Sequence, residues 1–452
     1  MASNGSRSEG AAHLDRRRIR RVLSSAAIGQ FVEWYDFVIY AYSATVIASL
    51  FFPNEDRIAS LLATFAVYAV GFVMRPVGAI VFGHLGDRIG RRNVLAAVIL
   101  LMGTATFGIG ILPTYEQIGV TAAFLLLLCR LLQGMSAGAE TTGANALVAE
   151  HSPRRRRGMF VAFTYAFANL PAVFASLLVL SLTSLMGDET YNAWGWRIPF
   201  LLGGVIALVG LYIRRRVNES PEFEAQRHAA PVAAKRSIPL FSAIRENPRA
   251  VVFAFVLAAL SSLGFYTLTG YFTTYLQESV QVDSSVAFLS NAIALLLAFV
   301  AMPITGAISD RVGRKPVLVV GALLSAVIAL PAYMLASNGT AVGAIVGQTL
   351  LGLALAVYFG PFGVAFVELF PVKNRFSGAG FGYNIAYVVF GGTAPYVSTW
   401  LVGTTGSLLA PAFYMVIVAA LVGFICLALP KPQIDEDAIS TASGTEPGAA
   451  LE

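Results

Sequence analysis

The sequence predicts an all-helical membrane protein, with twelve crossings arranged as two pseudo-symmetric bundles of six. Three observations predict it: apolar runs long enough to cross a bilayer, a charged segment that recurs half a chain later, and basic residues confined almost wholly to one side.

Composition already limits the class. Of 452 residues, 57% are hydrophobic, only 12% are charged and 42 are glycine. A soluble domain is about a quarter charged, whereas glycine is favoured where membrane helices pack closely. Twelve apolar runs approach or exceed the roughly 20 helical residues a hydrocarbon core demands. They cover 22–52, 59–82, 93–112, 118–149, 158–186, 197–213, 250–276, 285–308, 317–336, 341–369, 377–403 and 408–429. Residues 1–21 carry Arg16, Arg17, Arg18, Arg20 and Arg21. The run that follows is too long for a signal peptide and lacks a clear cleavage site, so this segment reads as an uncleaved cytoplasmic leader. Residues 22–213 form the N-terminal bundle and 250–429 the C-terminal one. Between them, 214–249 holds Arg214–Arg216, Pro221, Pro231, Pro239 and Pro248, too polar to cross, and reads as a cytoplasmic linker. Residues 430–452, rich in Ser, Thr, Ala, Gly and acids, read as a disordered cytoplasmic tail.

The recurring segment is GHLGDRIGRR at Gly83–Arg92, echoed by GAISDRVGRK at Gly306–Lys315 with an offset of 223 residues. Glu150, Pro153 and Arg157 recur as Glu368, Pro371 and Arg375, at an offset of 218. Two charged turns repeated in order at half-chain spacing indicate a duplicated membrane protein. With the N-terminus inside, all but four of the 31 Lys and Arg fall in cytoplasmic segments, the exceptions being Arg57, Arg75, Arg130 and Arg197. That placement is the positive-inside rule, and it accounts for the net charge of +6 better than a nucleic-acid surface does. The expected location is a bacterial plasma (inner) membrane, with the lipid bilayer as partner and the monomer as the working unit.

The paired turns resemble the signature loops of the major facilitator superfamily. More narrowly, GQFVEWYDFVIY (29–40), FVMRPVGAIVFGHLGDRIGRR (72–92), RLLQGMSAGAE (130–140) and WGWRIPFLLG (194–203) are similar to the metabolite:proton symporter family. NESPEFEAQ (218–226), FPVKNRFSGAGFGYNIA (370–386) and FGGTAP (390–395) extend the resemblance into both halves. It implies the major facilitator fold, alternating access around a central cavity lined by crossings 1, 4, 7 and 10, and cotransport of organic acids or zwitterionic osmolytes with protons.

The charged turns have a physical reading of their own. Gly83 and Gly90 permit a tight connection. Asp87 can accept from backbone N–H groups at a neighbouring helix start, where the dipole is positive. Arg91 and Arg92 can hold Glu150, and Arg314 and Lys315 can hold Glu368, with Asp310, Arg157 and Arg375 at the equivalent places. Such pairs close the cytoplasmic face in one state and break in the other; alternatively they anchor the loops and fix orientation.

Glu33, Asp36, Arg75, Arg130 and Glu140 are ionisable residues within crossings. Each costs about 2.5–3.5 kcal/mol at a helix centre, so function is the default expectation. A carboxyl group that trades a nearby cation for low-dielectric surroundings can take and release a proton, which makes Asp36, Glu140 and Glu33 candidate coupling sites. Arginine keeps its proton and binds a carboxylate with two donors, which makes Arg75 and Arg130 candidates for substrate. A fixed ion-pair network bracing crossings 1, 2 and 4 is the structural alternative. In the other half, Tyr266 and Asn384 are candidate substrate contacts, and Gly360-Pro361 is expected to bend crossing 10. Trp194 and Trp196 fit an outer-interface belt.

No enzyme chemistry is expected. His13, His84, His151 and His228 lack metal-site spacing, Cys129 and Cys426 lie inside apolar runs, and no phosphate-binding loop is present. No cofactor is expected, since the proton gradient would drive transport. The resulting expectation is a secondary transporter importing a small organic acid with protons. LGFYTLTGYFTTYL (263–276) and FGGTAP look nearer to 2-oxoglutarate and citrate permeases than to osmolyte carriers. A proline- or betaine-type symporter is the alternative, and a transporter-like receptor an alternative of another class.

Overall fold

A computed structural model describes residues 31, 34–89, 91–137, 152, 154–216, 246–370 and 375–429. Within them the apolar runs are predominantly helical, because a backbone in hydrocarbon must satisfy its own hydrogen bonds. Seven described helices are long and apolar enough to cross alone, two more crossings are bent pairs, and three shorter apolar helices supply the rest. That gives the twelve crossings in two halves that the sequence predicts.

In the N-terminal half, α1 is Trp34–Tyr42 with Ala44–Phe51, bent by 64°. It is followed by α2 (Arg57–Ile89), α3 (Arg91–Ile111) and α4 (Val120–Ala137). α5 spans Arg157–Met186, and α6 is Asp188–Gly195 with Arg197–Tyr212, bent by 51°. In the C-terminal half, α7 (Pro248–Ser279), α8 (Ser284–Val312), α9 (Arg314–Ala336) and α10 (Ala341–Glu368) are continuous spans. α11 runs over Gly380–Thr405 and α12 over Ala410–Cys426. Asp283 caps α8; hydrogen bonds from the Ser285 hydroxyl and backbone N–H hold its carboxyl below the usual range.

The halves meet along α5 with α8 and along α2 with α11. Glycines allow both approaches. A Cβ on Gly306 of α8 would stand 2.6 Å from Ala162 Cβ and 2.8 Å from the Gly158 carbonyl of α5. A Cβ on Gly392 would meet the Phe72 ring at 2.8 Å. Side chains such as Ile80, Val120, Leu185 and Phe424 remain exposed on the outer faces, where lipid covers them.

Two expectations are corrected. The charged segments are helix ends rather than loops: α2 stays helical through Ile89, and α8 runs through Asp310 and Arg311 to Val312. The second turn is made by Gly313 alone, at φ +101°, a region that glycine enters without a Cβ clash. Gly360-Pro361 lies within α10, which stays helical through Pro361 to Glu368. Gly360 is there for packing, since a Cβ would lie 2.1 Å from Thr305 Oγ1 of α8. Trp194 is exposed as a belt residue should be, but Trp196 is fully buried, edge-on to Phe51 and Phe200.

Candidate transport site

The deep residues named from the sequence separate into two sets. Asp36, Arg75 and Arg130 are buried, at 2%, 1% and 0% exposure. Glu33, Glu140 and Glu150, and the side chains of Asp87, Arg91, Arg92 and Arg375, lie outside the described residues.

Arg130 projects from α4 into a ring-lined space. Its guanidinium carbon is 4.3 Å from the ring centroid of Tyr40, 5.0 Å from that of Tyr68 and 5.2 Å from that of Phe37. Nη1 donates to Gln133 Oε1 at 2.8 Å, one turn further along the helix. Gln133 Nε2 in turn donates to Thr106 Oγ1 of α3 at 2.7 Å. The Thr106 hydroxyl lies beside the Asp36 carboxyl, while also within 3.0 Å of the Met102 carbonyl. A polar chain of Arg130, Gln133 and Thr106 thus leads to Asp36. Among the described residues, Asp36 Oδ2, Arg130 Nε and Arg130 Nη2 have no hydrogen-bond partner. Nε and Nη2 are the two donors of one guanidinium edge, the geometry that grips a carboxylate. Gly71 of α2 leaves room there: its Cβ would sit 3.4 Å from Nη2.

Arg75 of α2 occupies a second aromatic setting. Its guanidinium carbon is 4.4 Å from the Phe37 centroid, 4.6 Å from Phe72, 5.7 Å from Trp34 and 6.0 Å from Tyr387. These distances are cation–π contacts, which strengthen when the groups are desolvated. Nη2 donates to the Tyr266 hydroxyl of α7 at 3.4 Å, joining the halves. Phe37 therefore touches both guanidinium groups. Tyr266 packs edge-on against Phe72, Phe265 and Tyr387. Below it, the Tyr165 hydroxyl of α5 is 2.8 Å from both Ser261 and Tyr387 hydroxyls of the other half. The Asn384 amide donates to the Gly380 carbonyl of its own helix at 2.8 Å. That bond follows from α-helical spacing, where a short amide reaches the carbonyl four residues back.

At the cytoplasmic end, Asp310 accepts from the Gly158 and Met159 N–H groups at 2.8 and 3.0 Å. These are unsatisfied donors of the first turn of α5, so the C-terminal half caps a helix of the N-terminal half. Arg314 donates to Asp310 at 2.7 Å and its Nε lies 3.6 Å from Glu368 Oε2. Arg157 reaches Glu368 Oε1 at 4.0 Å. Lys315 does not hold Glu368; its Nζ donates to the Leu429 carbonyl at 3.4 Å. Consecutive helical residues point about 100° apart at 3.6 residues per turn, so Arg314 and Lys315 leave the helix in different directions.

Gln133, Thr106 and the rings of Trp34, Phe37, Tyr68 and Phe72 were not singled out from the sequence. One signal was present: Arg130 and Gln133 stand at i, i+3 and must share a helix face.

A bundle of this form, with two glycine-packed halves around buried charges, is that of a secondary transporter. The chain matches the family described as Major Facilitator Superfamily over residues 26–302 and again over 254–447, and it belongs to that superfamily. It is 33% identical over 416 residues to the glycine betaine/proline/ectoine/pipecolic acid transporter OusA of Dickeya dadantii, covering 90% of this chain and 82% of that protein. It is 31% identical over 418 residues to the proline/betaine transporter of Salmonella typhimurium, covering 90% and 83%. Among solved structures, the partially occluded inward-open xylose transporter XylE from E. coli superposes with a TM-score of 0.72 at 17% identity, covering 92% of this chain and 98% of that one. The chain is accordingly a multi-pass integral protein of the plasma (inner) membrane.

These relatives match the osmolyte alternative better than the organic-acid preference, and the narrowing to 2-oxoglutarate and citrate permeases is not supported. The segments that suggested it do packing work. FGGTAP places Gly391 and Gly392 where a Cβ would collide with Tyr266 at 2.7 Å and Phe72 at 2.8 Å, constraints set by helix contact rather than by cargo.

Proposed function

We propose that this chain imports small zwitterionic osmolytes of the proline and betaine type, with protons, by alternating access. The observation that carries the reading is the buried Arg130 edge, whose Nε and Nη2 lack partners among the described residues, set among aromatic faces. The edge suits a substrate carboxylate and the rings suit an alkylated ammonium group, so the two together match both ends of a zwitterion. The relatives' names support that choice of cargo over a dicarboxylate. Asp36 is the proposed proton carrier, linked to Arg130 through Thr106 and Gln133. A carboxylate on the Nε–Nη2 edge leaves Nη1 on Gln133 and partly neutralises the guanidinium, so the electrostatic surroundings of Asp36 change along the same chain. Glu140 and Glu33 stay candidate partners of the same network. Arg75 and Tyr266 would complete the substrate contacts across the halves. At the cytoplasmic end, Asp310, Arg314, Glu368 and Arg157 are proposed to act as the inner closure, with Asp87, Arg91, Arg92, Glu150 and Arg375 as the equivalent set of the other half.

The test is uptake into proteoliposomes from a panel of glycine betaine, proline, 2-oxoglutarate and citrate, with and without an inside-alkaline pH gradient. Betaine or proline is expected to accumulate only with the gradient. Accumulation of an acid and neither osmolyte overturns the cargo; accumulation insensitive to pH gradient and membrane potential overturns the coupling.

A further inference from the structure

At the end remote from the charged segments, a cavity of about 240 Å³ opens between the halves. Arg57, the first residue of α2, faces Glu278, in the last turn of α7, across it. Arg57 Nε donates to Glu278 Oε2 at 3.0 Å, and Nη2 is paired with Oε1, so two parallel contacts join the halves. Nη2 also donates to the Thr45 carbonyl of α1 at 3.0 Å, which fixes the guanidinium plane. Asp188, Tyr191 and Phe288 complete the walls that matter here. Under the cavity, the Tyr42 hydroxyl of α1 donates to Asn291 of α8, and the Asn291 amide donates to the Leu268 carbonyl at 2.6 Å. Leu268 belongs to Thr267–Tyr271, a stretch of α7 wound in wider five-residue turns next to Tyr266.

We infer that this cavity is an external capture site for the zwitterion, in which the substrate's carboxylate takes Arg57 and its ammonium takes Glu278, so that binding parts the ion pair and opens the outer face. The inference rests on the zwitterionic cargo proposed above and adds the place where that cargo is first recognised. The charge count decides which substrate fits. Arg57 contributes one positive charge, and Glu278 and Asp188 one negative charge each. A zwitterion replaces each partner of the pair with a like partner and leaves neither Arg57 nor Glu278 unmatched. A dicarboxylate satisfies Arg57 alone and faces two carboxylates across a small cavity, which disfavours it by like-charge repulsion. The pair is also reachable by ions, with Arg57 at 43% side-chain exposure and Glu278 at 18%. Screening by external salt therefore weakens the latch without touching the deep site.

The experiment measures glycine betaine uptake by the full chain in proteoliposomes, comparing wild type, Arg57→Gln, Glu278→Gln and the reversed pair Arg57→Glu with Glu278→Arg. Each neutral variant is expected to raise KM for external betaine about tenfold, the loss of one charge-assisted contact, with the maximal rate kept or increased. The reversed pair is expected to recover most of the affinity, because a zwitterion can enter with its ends exchanged. KM within twofold of wild type in both neutral variants overturns the capture site. Raised KM without recovery in the reversed pair also overturns it, since each residue would then act separately. A wild type that takes up no betaine at all refutes the proposed cargo instead, so the two failures are told apart.

Discussion

In the N-terminal half the buried polar side chains include three ionisable groups, Asp36, Arg75 and Arg130; in the C-terminal half, among the described residues, they are Ser, Thr, Asn291 and Gln348, beside a set of buried tyrosines. The backbone differs in the opposite sense. Among the described residues, three stretches of the C-terminal half, Thr267–Tyr271, Tyr275–Ser279 and Tyr387–Gly392, are wound in wide turns, against Tyr191–Gly195 in the N-terminal half. Such turns gather at functional positions. The difference shows how a duplicated fold can divide its work. Charges are costly to move between environments, so keeping the deeply buried ones in one half leaves rings and hydroxyls as the other half's buried contacts, with the ion pairs between halves confined to the two ends. The wide turns of α11 pack on α2 of the other half.

Asp36→Asn is the substitution with the largest expected effect on that division. It keeps the shape and removes the buried carboxylate. Gradient-driven accumulation of betaine should fall to the level of equilibration, while counterflow without a gradient stays within a few-fold of wild type. Normal accumulation by the variant would remove Asp36 from coupling and leave the N-terminal charges as a brace.

How much of this could be read from the sequence differs by physical type. Asp36, Arg75 and Arg130 stood out because a charge in an apolar run is costly, and the structure buries all three. The twelve runs stood out for the same reason of solvent. The Arg57–Glu278 pair did not, since its members are 221 residues apart and neither carries a local pattern. The ring setting of Arg75 was equally hidden, because Trp34, Phe37, Phe72 and Tyr387 look like ordinary core residues until three helices bring them together. The glycines were seen but given one meaning. Gly306 serves close packing and Gly313 serves the turn, a distinction that needs φ and neighbours.

Asp310→Ala has the next largest effect, at the contact where one half caps the other. It removes both acceptors of the Gly158 and Met159 N–H groups and the partner of Arg314. Loss of a helix cap costs typically about 1 kcal/mol, and here the cost falls only on the arrangement in which α5 meets α8. The readout is a cysteine placed at Ala162, beside Gly306, in a chain lacking Cys129 and Cys426. Its labelling by a water-soluble maleimide should rise several-fold in the Asp310→Ala background. An unchanged rate would mean that the cap stabilises α5 without closing the inner face.

The smallest effect is expected at Lys315, and it is the sharpest check on the contrast between sequence equivalence and actual contact. By sequence Arg314 and Lys315 are adjacent cations with one shared acid, Glu368. In the structure Arg314, of the two, binds the acids, donating to Asp310 at 2.7 Å and approaching Glu368 at 3.6 Å. Lys315 instead meets the Leu429 carbonyl just beyond α12, where a cation gains only the modest stabilisation of a helix C-terminus. Lys315→Gln can still donate to that carbonyl, so it should change stability by less than about 0.5 kcal/mol. Labelling at Ala162 should stay at the wild-type rate. Arg314→Gln should raise it, because both acids then lose their fork. If the two variants behave alike, the inner closure depends on net positive charge rather than on guanidinium geometry, and the assignment of Arg314 as its centre is wrong.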